Sequence, residues 1–172
     1  MNNRKITEEI NQNSKDIDKK KIKEILQIFN QEDLSVVKSV NNTFPELEKL
    51  ILLVIECFKN GGRLFYVGSG TSGRLGILDA SECPPTFGVS PDMVQGIIAG
   101  GYKAIFKSIE GAEDSFEEGG KIILNKKINN LDIIIGISAS GTTPYVLGCL
   151  KKAKKVGAKT ALIQCNISKT VS

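Results

Sequence analysis

The sequence predicts an α/β fold in which a parallel sheet lies between two layers of helices, preceded by a helical N-terminal segment. Short, continuous apolar runs near Leu64, Ile97, Ile134 and Leu162 are typical of buried parallel strands. Segments with helical periodicity separate these runs, and this alternation implies right-handed crossovers in one three-layer domain. Two of the runs lead into loops rich in glycine and hydroxyl residues, so we expect a ligand-binding site at the carboxyl ends of the strands.

The N-terminal segment is expected to form three helices. Apolar residues at helical spacing predict a first helix from Asp18 to about Asn30 and a second, short helix after Asp33. Pro45 suits the start of a third helix, and Asn60-Gly61-Gly62 is expected to end it.

The first hydroxyl-rich loop follows the predicted strand Arg63–Val67. Ser69, Thr71 and Ser72 alternate with glycines there, and the loop leads into a helix whose N–H groups favour an anion. Glu82 follows and is expected on a proline turn, where it could act on a molecule held by its phosphate.

Three glycines of this loop also match the G-x-G-x-x-G dinucleotide fingerprint, a weak signal by itself. The fingerprint requires a carboxylate at the end of the next strand, but Val94–Ala99 is followed by Gly100-Gly101. Hydroxyl groups suit the terminal oxygens of a phosphate monoester better than a pyrophosphate pressed against bare backbone. A nicotinamide cofactor is therefore disfavoured.

A second loop of the same chemistry follows the predicted strand Leu131–Ile137. Its sequence, Ser138-Ala139-Ser140-Gly141-Thr142-Thr143, precedes Pro144, so Thr143 is expected to be a helix N-cap. For either loop taken alone, an alternative interpretation is that its hydroxyl groups do no more than cap a helix. Two such loops at one edge of a sheet favour phosphate binding.

Composition excludes several classes of function. The chain has 172 residues, 41% of them hydrophobic and 24% charged, which is ordinary for a globular domain. Its net charge of +4 comes from dispersed lysines without interleaved aromatic residues, so we expect no nucleic-acid partner. The apolar run Leu50–Ile55 is too short to span a membrane, and the polar start of the chain resembles no signal peptide, so a cytoplasmic protein is expected.

The cysteines and the lack of histidine limit the possible chemistry. The four cysteines lack metal-ligand or redox spacing, so we expect neither a metal site nor a redox motif. Cys57, Cys149 and Cys165 are expected in the core. Cys83 lies beside Glu82, but without a histidine to activate it packing is favoured over nucleophilic catalysis.

Several long motifs resemble those of sugar isomerase (SIS) domains, and more narrowly of the N-acetylmuramic acid 6-phosphate etherase family. They are Gly68–Gly88 (GSGTSGRLGILDASECPPTFG), Ile109–Ser115 (IEGAEDS) and Ser138–Val146 (SASGTTPYV), and the resemblance extends from Thr7-Glu8 to Gln164-Cys165-Asn166. Ile10 stands where the family has arginine.

The resemblance implies a domain organisation for the chain. Residues 1–44 would form a helical arm and residues 45–172 a phosphosugar-binding SIS domain of flavodoxin-like type. Family members continue beyond Ser172, so we expect the domain to lack its last strand and C-terminal helices.

The resemblance also implies an activity: cleavage of the D-lactyl ether of N-acetylmuramic acid 6-phosphate, without a cofactor, in a homodimer. In that reading Glu82 is the proton donor to the leaving lactate, which apolar neighbours such as Pro84 and Phe87 would favour, and Glu113 removes the sugar C2 proton. The residues alone do not separate Glu110, Glu113 and Asp114. The phosphate-binding residues would be Ser69, Gly70, Thr71, Ser72, Ser138, Ser140 and Thr143.

Two other functions remain open. A non-catalytic phosphosugar sensor would keep both hydroxyl loops but would need neither glutamate. An aldose–ketose isomerase would share phosphate binding and proton abstraction, but it has no reason to carry Glu82-Cys83-Pro84-Pro85. The presence of both glutamates favours the etherase.

Overall fold

A computed structural model of the chain describes residue 7 and residues 9–165. Glu8, Asn166 and the last residues of the chain, on which part of the sequence comparison rests, lie outside the described residues. The chain divides into two compact units, Met1–Ile51 and Leu52–Ser172.

From residue 9 onward, the first unit has two short 3₁₀ helices (Gln12–Ser14 and Ile17–Lys19) before one long helix, α1 (Ile22–Asn41). The two helices predicted on either side of Asp33 are therefore wrong, because α1 runs through that region without interruption. Residues 30–34 contain no glycine or proline, so nothing there breaks the helix. The Lys21 N–H donates to the carboxylate of Glu24 and caps the first turn.

The predicted third helix is confirmed as α2 (Phe44–Lys59). Gly61, which follows its end, has a left-handed backbone conformation with φ 73°. Among the residues that the structure describes, no helix is both long and apolar enough to cross a membrane.

In the described part of the second unit, four parallel strands form the sheet, as the apolar runs predict. They are β1 (Leu64–Gly68), β2 (Val94–Ile98), β3 (Ile133–Ile137) and β4 (Lys159–Ile163). Their spatial order is β2-β1-β3-β4. The chain adds β2 on one side of β1 and then β3 and β4 on the other side, so the strand order reverses between β1 and β3. In open α/β sheets, ligands bind outside the carboxyl ends of the strands at such a point.

Helices cover both faces of the sheet. Phe65 and Val67 of β1 belong to the same buried cluster as residues of α5 (Phe116–Asn125) and α6 (Pro144–Lys155). Tyr66, between them, points to the other face, where Gly76 of α3 (Gly70–Phe87) packs so closely that an added Cβ would lie 2.6 Å from the Tyr66 Cβ. A four-residue helix, α4 (Lys103–Phe106), follows β2. The predicted three-layer α/β fold is confirmed.

A buried ion pair joins the starts of β1 and β3. Asp132 is 1% exposed and accepts hydrogen bonds from the Arg63 backbone N–H (2.9 Å), from Arg63 Nε (3.1 Å) and Nη2 (2.7 Å), and from the Asn129 N–H (3.0 Å). The bond to Asp132 raises the pKa of the Arg63 guanidinium. This network fixes the two strands whose opposite ends carry the hydroxyl loops.

The structure corrects the placement of Glu82, which lies inside α3 and not on a proline turn. Pro84 and Pro85 occupy the last turn of this helix, where each lacks the N–H group that would bond the carbonyl four residues earlier, and the helix ends at Phe87. The helix ends at Gly88, which has φ 65° and donates its N–H to the Pro84 carbonyl.

Candidate active site

The two hydroxyl loops lie side by side at one edge of the sheet. The strands β1 and β3 are parallel neighbours, and their last residues, Gly68 and Ile137, are register partners. Ser69 and Ser138 directly follow those partners. The sequence therefore brings two sets of hydroxyl groups to the same side of the sheet, as expected for a shared ligand.

The first loop is held tightly by its glycines. An added Cβ on Gly68 would lie 2.5 Å from the Gly73 backbone nitrogen, and one on Gly73 would lie 2.6 Å from the Ile98 side chain. Gly70, at the first position of α3, has φ 51°. The G-x-G-x-x-G pattern thus reflects close strand–helix packing and a left-handed turn. Ser69 is the N-cap residue, and its side chain makes no capping bond.

The Ser69 hydroxyl instead donates to the Glu113 carboxylate, Oγ to Oε2 3.0 Å. Thr71 is exposed and Ser72 half-buried in the first turn of α3. Because the Ser69 side chain makes no capping bond, it leaves the first N–H groups of α3 open to an anion at the start of the helix.

The second loop is a network of hydroxyl groups. The Oγ of Ser138, a buried residue, lies 2.8 Å from Thr143 Oγ1 and accepts the Gly141 N–H at 3.2 Å. Ser140 and Thr142 form a second hydroxyl pair, 2.9 Å apart. Thr143 is the N-cap of α6, as expected, with Pro144 in its first turn. Thr142 belongs to this network, although sequence reasoning did not select it.

Glu113 connects the two loops. Its backbone carbonyl accepts the Tyr145 N–H at 2.9 Å, at the start of α6, while its side chain accepts the Ser69 hydroxyl. The N-cap of α5 is Ser115, so Glu113 lies in the segment before the helix and not in its first turn. Its side chain is exposed, so a ligand can reach it. Neither Glu110 nor Asp114 shows either of these contacts with the two loops.

A cavity of about 230 Å³ lies between the first loop and the segment that carries Glu113. Lys107 lines this cavity and contributes a positive charge to it. The sequence does not single out this lysine, because its place beside the cavity depends on the fold. Arg74 also lines the cavity, but its Nε donates to the Ile105 carbonyl at 2.8 Å, so it fastens the segment after β2. The other lining residues are Ser69, Gly70, Ala99, Ala104, Ser108, Ile109, Glu110, Gly111, Ala112 and Glu113.

A larger cavity, of about 620 Å³, lies between β2, α4 and α5. None of the sequence-predicted site residues lines it, and its walls are largely apolar. The smaller cavity, with its hydroxyl, lysine and carboxylate groups, is the better candidate for chemistry on a charged ligand.

Glu82 lies away from this group of residues in the same chain. It follows Gly70 by twelve residues of continuous helix, which corresponds to about 18 Å at a rise of about 1.5 Å per residue. Glu82 is exposed, and Phe87 is 72% exposed, so the described residues of the chain do not form the apolar environment expected around the proton donor.

The four cysteines are free thiols. Burial raises the pKa of Cys83, with a further contribution from Asp79, and its Sγ donates to the Asp79 carbonyl at 3.3 Å. A raised pKa opposes nucleophilic catalysis and agrees with a packing role. Cys57 and Cys149 are buried as predicted, whereas Cys165 is exposed because it follows the edge strand β4, so its predicted core position is wrong.

Comparison with known proteins gives a consistent picture. The family model described as the glucokinase regulatory protein N-terminal SIS domain matches residues 46–154. Curated proteins named N-acetylmuramic acid 6-phosphate etherase are 54% identical over 160 residues in Bacillus cytotoxicus and 52% identical over 166 residues in Listeria monocytogenes. These alignments cover 93% and 96% of this chain but 54% and 56% of the relatives, so the chain spans about half their length.

Solved structures show the same fold. A phosphoheptose isomerase from Neisseria gonorrhoeae superposes with a TM-score of 0.67 at 15% identity, covering 84% of this chain and 75% of that one. The corresponding enzyme from Francisella tularensis gives a TM-score of 0.66 at 19% identity, with 83% and 74% covered. At these identities the likeness concerns the fold alone.

Proposed function

Because the chain belongs to the SIS-domain family represented by the N-terminal domain of glucokinase regulatory protein, we propose that it binds the phosphate of a phosphorylated amino sugar between its two loops. The donors would be the hydroxyls of the loops and the first N–H groups of α3, with Lys107 supplying positive charge. The hydroxyls now bonded to one another, such as Ser138 to Thr143, can turn toward phosphate oxygens without moving the backbone.

We propose N-acetylmuramic acid 6-phosphate as the substrate and cleavage of its D-lactyl ether as the reaction, in line with the names of the curated relatives. The observation that carries this proposal is Glu113. It is a carboxylate placed beside Ser69, exposed to a ligand and fixed at its backbone by Tyr145. Binding alone would not require a base at this position, whereas proton abstraction would.

The ether is cleaved by elimination followed by addition of water. In the ring-opened aldehyde the C2 proton is acidic, and the Glu113 carboxylate removes it as a general base. The electron pair forms a C2=C3 double bond, the C3–O bond breaks, and the departing lactate oxygen takes a proton from a general acid, for which Glu82 is the candidate. Water then adds its hydroxyl to C3 and a proton to C2, so the net reaction is hydrolysis to N-acetylglucosamine 6-phosphate and D-lactate.

A homodimer in the cytoplasm is part of the same proposal. The free thiols are typical of proteins in a reducing compartment. In the first unit, α1 exposes apolar side chains such as Leu26 and Phe29, which are 63% and 58% exposed, and these would suit a contact between subunits.

A second candidate is a non-catalytic phosphosugar-binding domain. The matching family model describes a domain of a regulatory protein, and the chain covers about half of each etherase that it resembles. A binding domain would keep the hydroxyl loops and the cavity but would release no lactate.

The test is an assay of the purified chain with N-acetylmuramic acid 6-phosphate, following D-lactate by a coupled dehydrogenase. Lactate release that falls at least about 100-fold in Glu113→Gln supports the etherase, since a positioned general base contributes about 10²–10⁴-fold. Glu110→Gln is the matched control, because Glu110 lines the same cavity without contacting Ser69, and it should change the rate little. Calorimetric binding of the sugar phosphate without lactate would favour the binding domain, and no binding would contradict both candidates.

A further inference from the structure

We propose that the larger cavity is a second ligand site, which takes an uncharged and mainly apolar molecule that carries an amide or ketone group. This site is separate from the proposed phosphosugar site, and the inference does not depend on the etherase activity. The cavity volume of about 620 Å³ lies within the range of about 300–1,000 Å³ that is usual for small-molecule sites. Such sites combine apolar walls with a few polar groups that orient the ligand.

The apolar walls come from helices on both faces of the sheet and from the segment around β2. They are formed by isoleucines and one alanine: Ile77, Ile97, Ile98, Ile105, Ile122 and Ala112. Ile97 is 5% exposed and belongs to the buried core, so this part of the wall is fixed before a ligand binds. Gly100 and Gly101 also line the cavity and, because they have no side chains, leave it open. The walls therefore offer a preformed place to an apolar body.

Tyr145 brings an unpaired hydroxyl group to this lining. The residue is 6% exposed, and no described residue forms a hydrogen bond with its hydroxyl. Among the described residues no enclosed side-chain polar atom lacks a partner, so this hydroxyl is accessible, and the space that it faces is the cavity that Tyr145 lines. Burial raises the pKa of Tyr145, with contributions from Cys149 and from Glu118, which lines the same cavity. The hydroxyl therefore keeps its proton and can donate it to a ligand.

The strand β2 adds a second set of polar groups. The Leu64 N–H donates to the Met93 carbonyl. The Ala99 N–H donates to the Gly68 carbonyl. Because successive residues of a strand alternate in direction, Gly96 turns its N–H and C=O away from β1. In the described sheet β2 is at the end of the strand order, so these two groups face its free edge, where no described residue bonds them. Gly96 lines the cavity with its backbone, since it has no side chain.

The charges in the lining favour an uncharged ligand. Glu118 and Lys126 carry opposite charges, and each already has a partner. Glu118 accepts from Lys121 Nζ at 2.6 Å, and Lys126 Nζ donates to Gln95 Oε1 at 3.1 Å. Neither sign of charge dominates, so an ion gains little there. A carbonyl oxygen instead accepts the Tyr145 hydroxyl, and an amide can also pair with the free edge of β2.

The two cavities share a wall, which gives the second site its place in the molecule. Ala112 lines both of them. The Tyr145 N–H donates to the Glu113 carbonyl at 2.9 Å. A molecule in the larger cavity therefore packs against the segment that carries the proposed base, without occupying the space proposed for the sugar phosphate.

Methyl NMR of the isoleucines tests this inference directly. The probe is acetanilide, which joins an aromatic ring to one amide group, and it is titrated into the chain labelled at its isoleucine δ1 methyl groups. We expect saturable shifts at Ile105 and Ile122, which line the larger cavity, and none at Ile109, which lines the smaller one. Inorganic phosphate should not displace the probe. Shifts centred on Ile109, displacement by phosphate, or no saturable shift up to the solubility of acetanilide would each overturn the proposal.

Two variants and a matched control test the contacts. Tyr145→Phe keeps the ring and the backbone bond but removes the hydroxyl, so the Kd of acetanilide should rise about fivefold. Ile122→Phe should fill part of the cavity and raise the Kd at least about tenfold. Leu124→Phe, on the exposed side of the same helix, should leave the Kd unchanged. An equal Kd in wild type and Tyr145→Phe would overturn the proposal, and this comparison together with the methyl shifts still decides it if Ile122→Phe does not fold.

Discussion

Asp132 is the residue whose replacement should weaken the fold most clearly. It is 1% exposed and accepts four hydrogen bonds, three of them from Arg63. Asp132→Asn keeps nearly the same size but removes the negative charge, and its amide group would face N–H donors. The change therefore removes the charge and one of the two acceptor oxygens between β1 and β3 while it leaves the size of the side chain nearly the same.

The magnitude follows from burial and bonding. Removing one partner of a buried ion pair costs about 3–5 kcal/mol because the other charge is left uncompensated. The Arg63 side chain is 29% exposed and also donates from Nη2 to the Lys127 carbonyl at 3.1 Å, so water and that carbonyl recover part of the loss. We expect the free energy of unfolding to fall by about 3 kcal/mol in Asp132→Asn, with the slope of its denaturant dependence unchanged.

Urea unfolding followed by circular dichroism measures this difference. The matched control is Glu56→Gln, since Glu56 pairs with Lys159 at 2.6 Å but both side chains are substantially exposed, at 60% and 39%. Such a pair contributes about 0–1 kcal/mol, so the control should unfold close to wild type. If Asp132→Asn lost no more than Glu56→Gln, the reasoning that the buried pair fastens the sheet would be refuted.

Three further predictions concern packing, the ligand and pH. Gly148→Ala should lower the free energy of unfolding by about 2–3 kcal/mol, because the new Cβ would collide with the Phe116 carbonyl where α5 and α6 touch. Urea unfolding measures this difference, and an unchanged free energy of unfolding would contradict the collision. Lys107→Met should raise the KM for the sugar phosphate about tenfold with a smaller change in kcat, and an unchanged KM in steady-state assays would remove Lys107 from phosphate binding. Burial raises the pKa of Cys149 from 9.0 to about 12, so the folded state keeps a proton that the unfolded chain loses. Stability should therefore decrease as pH rises from about 9 to about 12, and Cys149→Ala should make that decrease shallower, whereas an equal pH dependence in both proteins would contradict this role.

The strands could be predicted from the sequence because each is a continuous apolar run, as a sheet covered on both faces requires. The hydroxyl loops followed from the same reasoning, since β1 and β3 end at one edge. The predictions from local sequence patterns were wrong where a helix continued through a residue type that often ends a helix. Asp33 does not interrupt α1, and Pro84 and Pro85 are accommodated in the last turn of α3.

The candidate site depends on contacts that no local pattern encodes. Glu113 could not be separated from Glu110 and Asp114 by residue type, because what distinguishes it is the path of the chain between β2 and α5, which brings its side chain to Ser69. Lys107 lines the cavity for the same reason. The position of Glu82 inside a long helix could be recognised only once the bounds of that helix were known, and it places the proposed acid far from Glu113 within one chain.

The most direct measurement of the central claim is the fate of the C2 hydrogen. The chain is incubated with N-acetylmuramic acid 6-phosphate in deuterium oxide, and the sugar product is analysed by proton NMR and mass spectrometry. Proton removal by Glu113 followed by water addition predicts N-acetylglucosamine 6-phosphate with one solvent deuteron at C2. Product that retains the original C2 proton would mean that the ether is cleaved without abstraction at C2, and would contradict the assignment of Glu113 as the base.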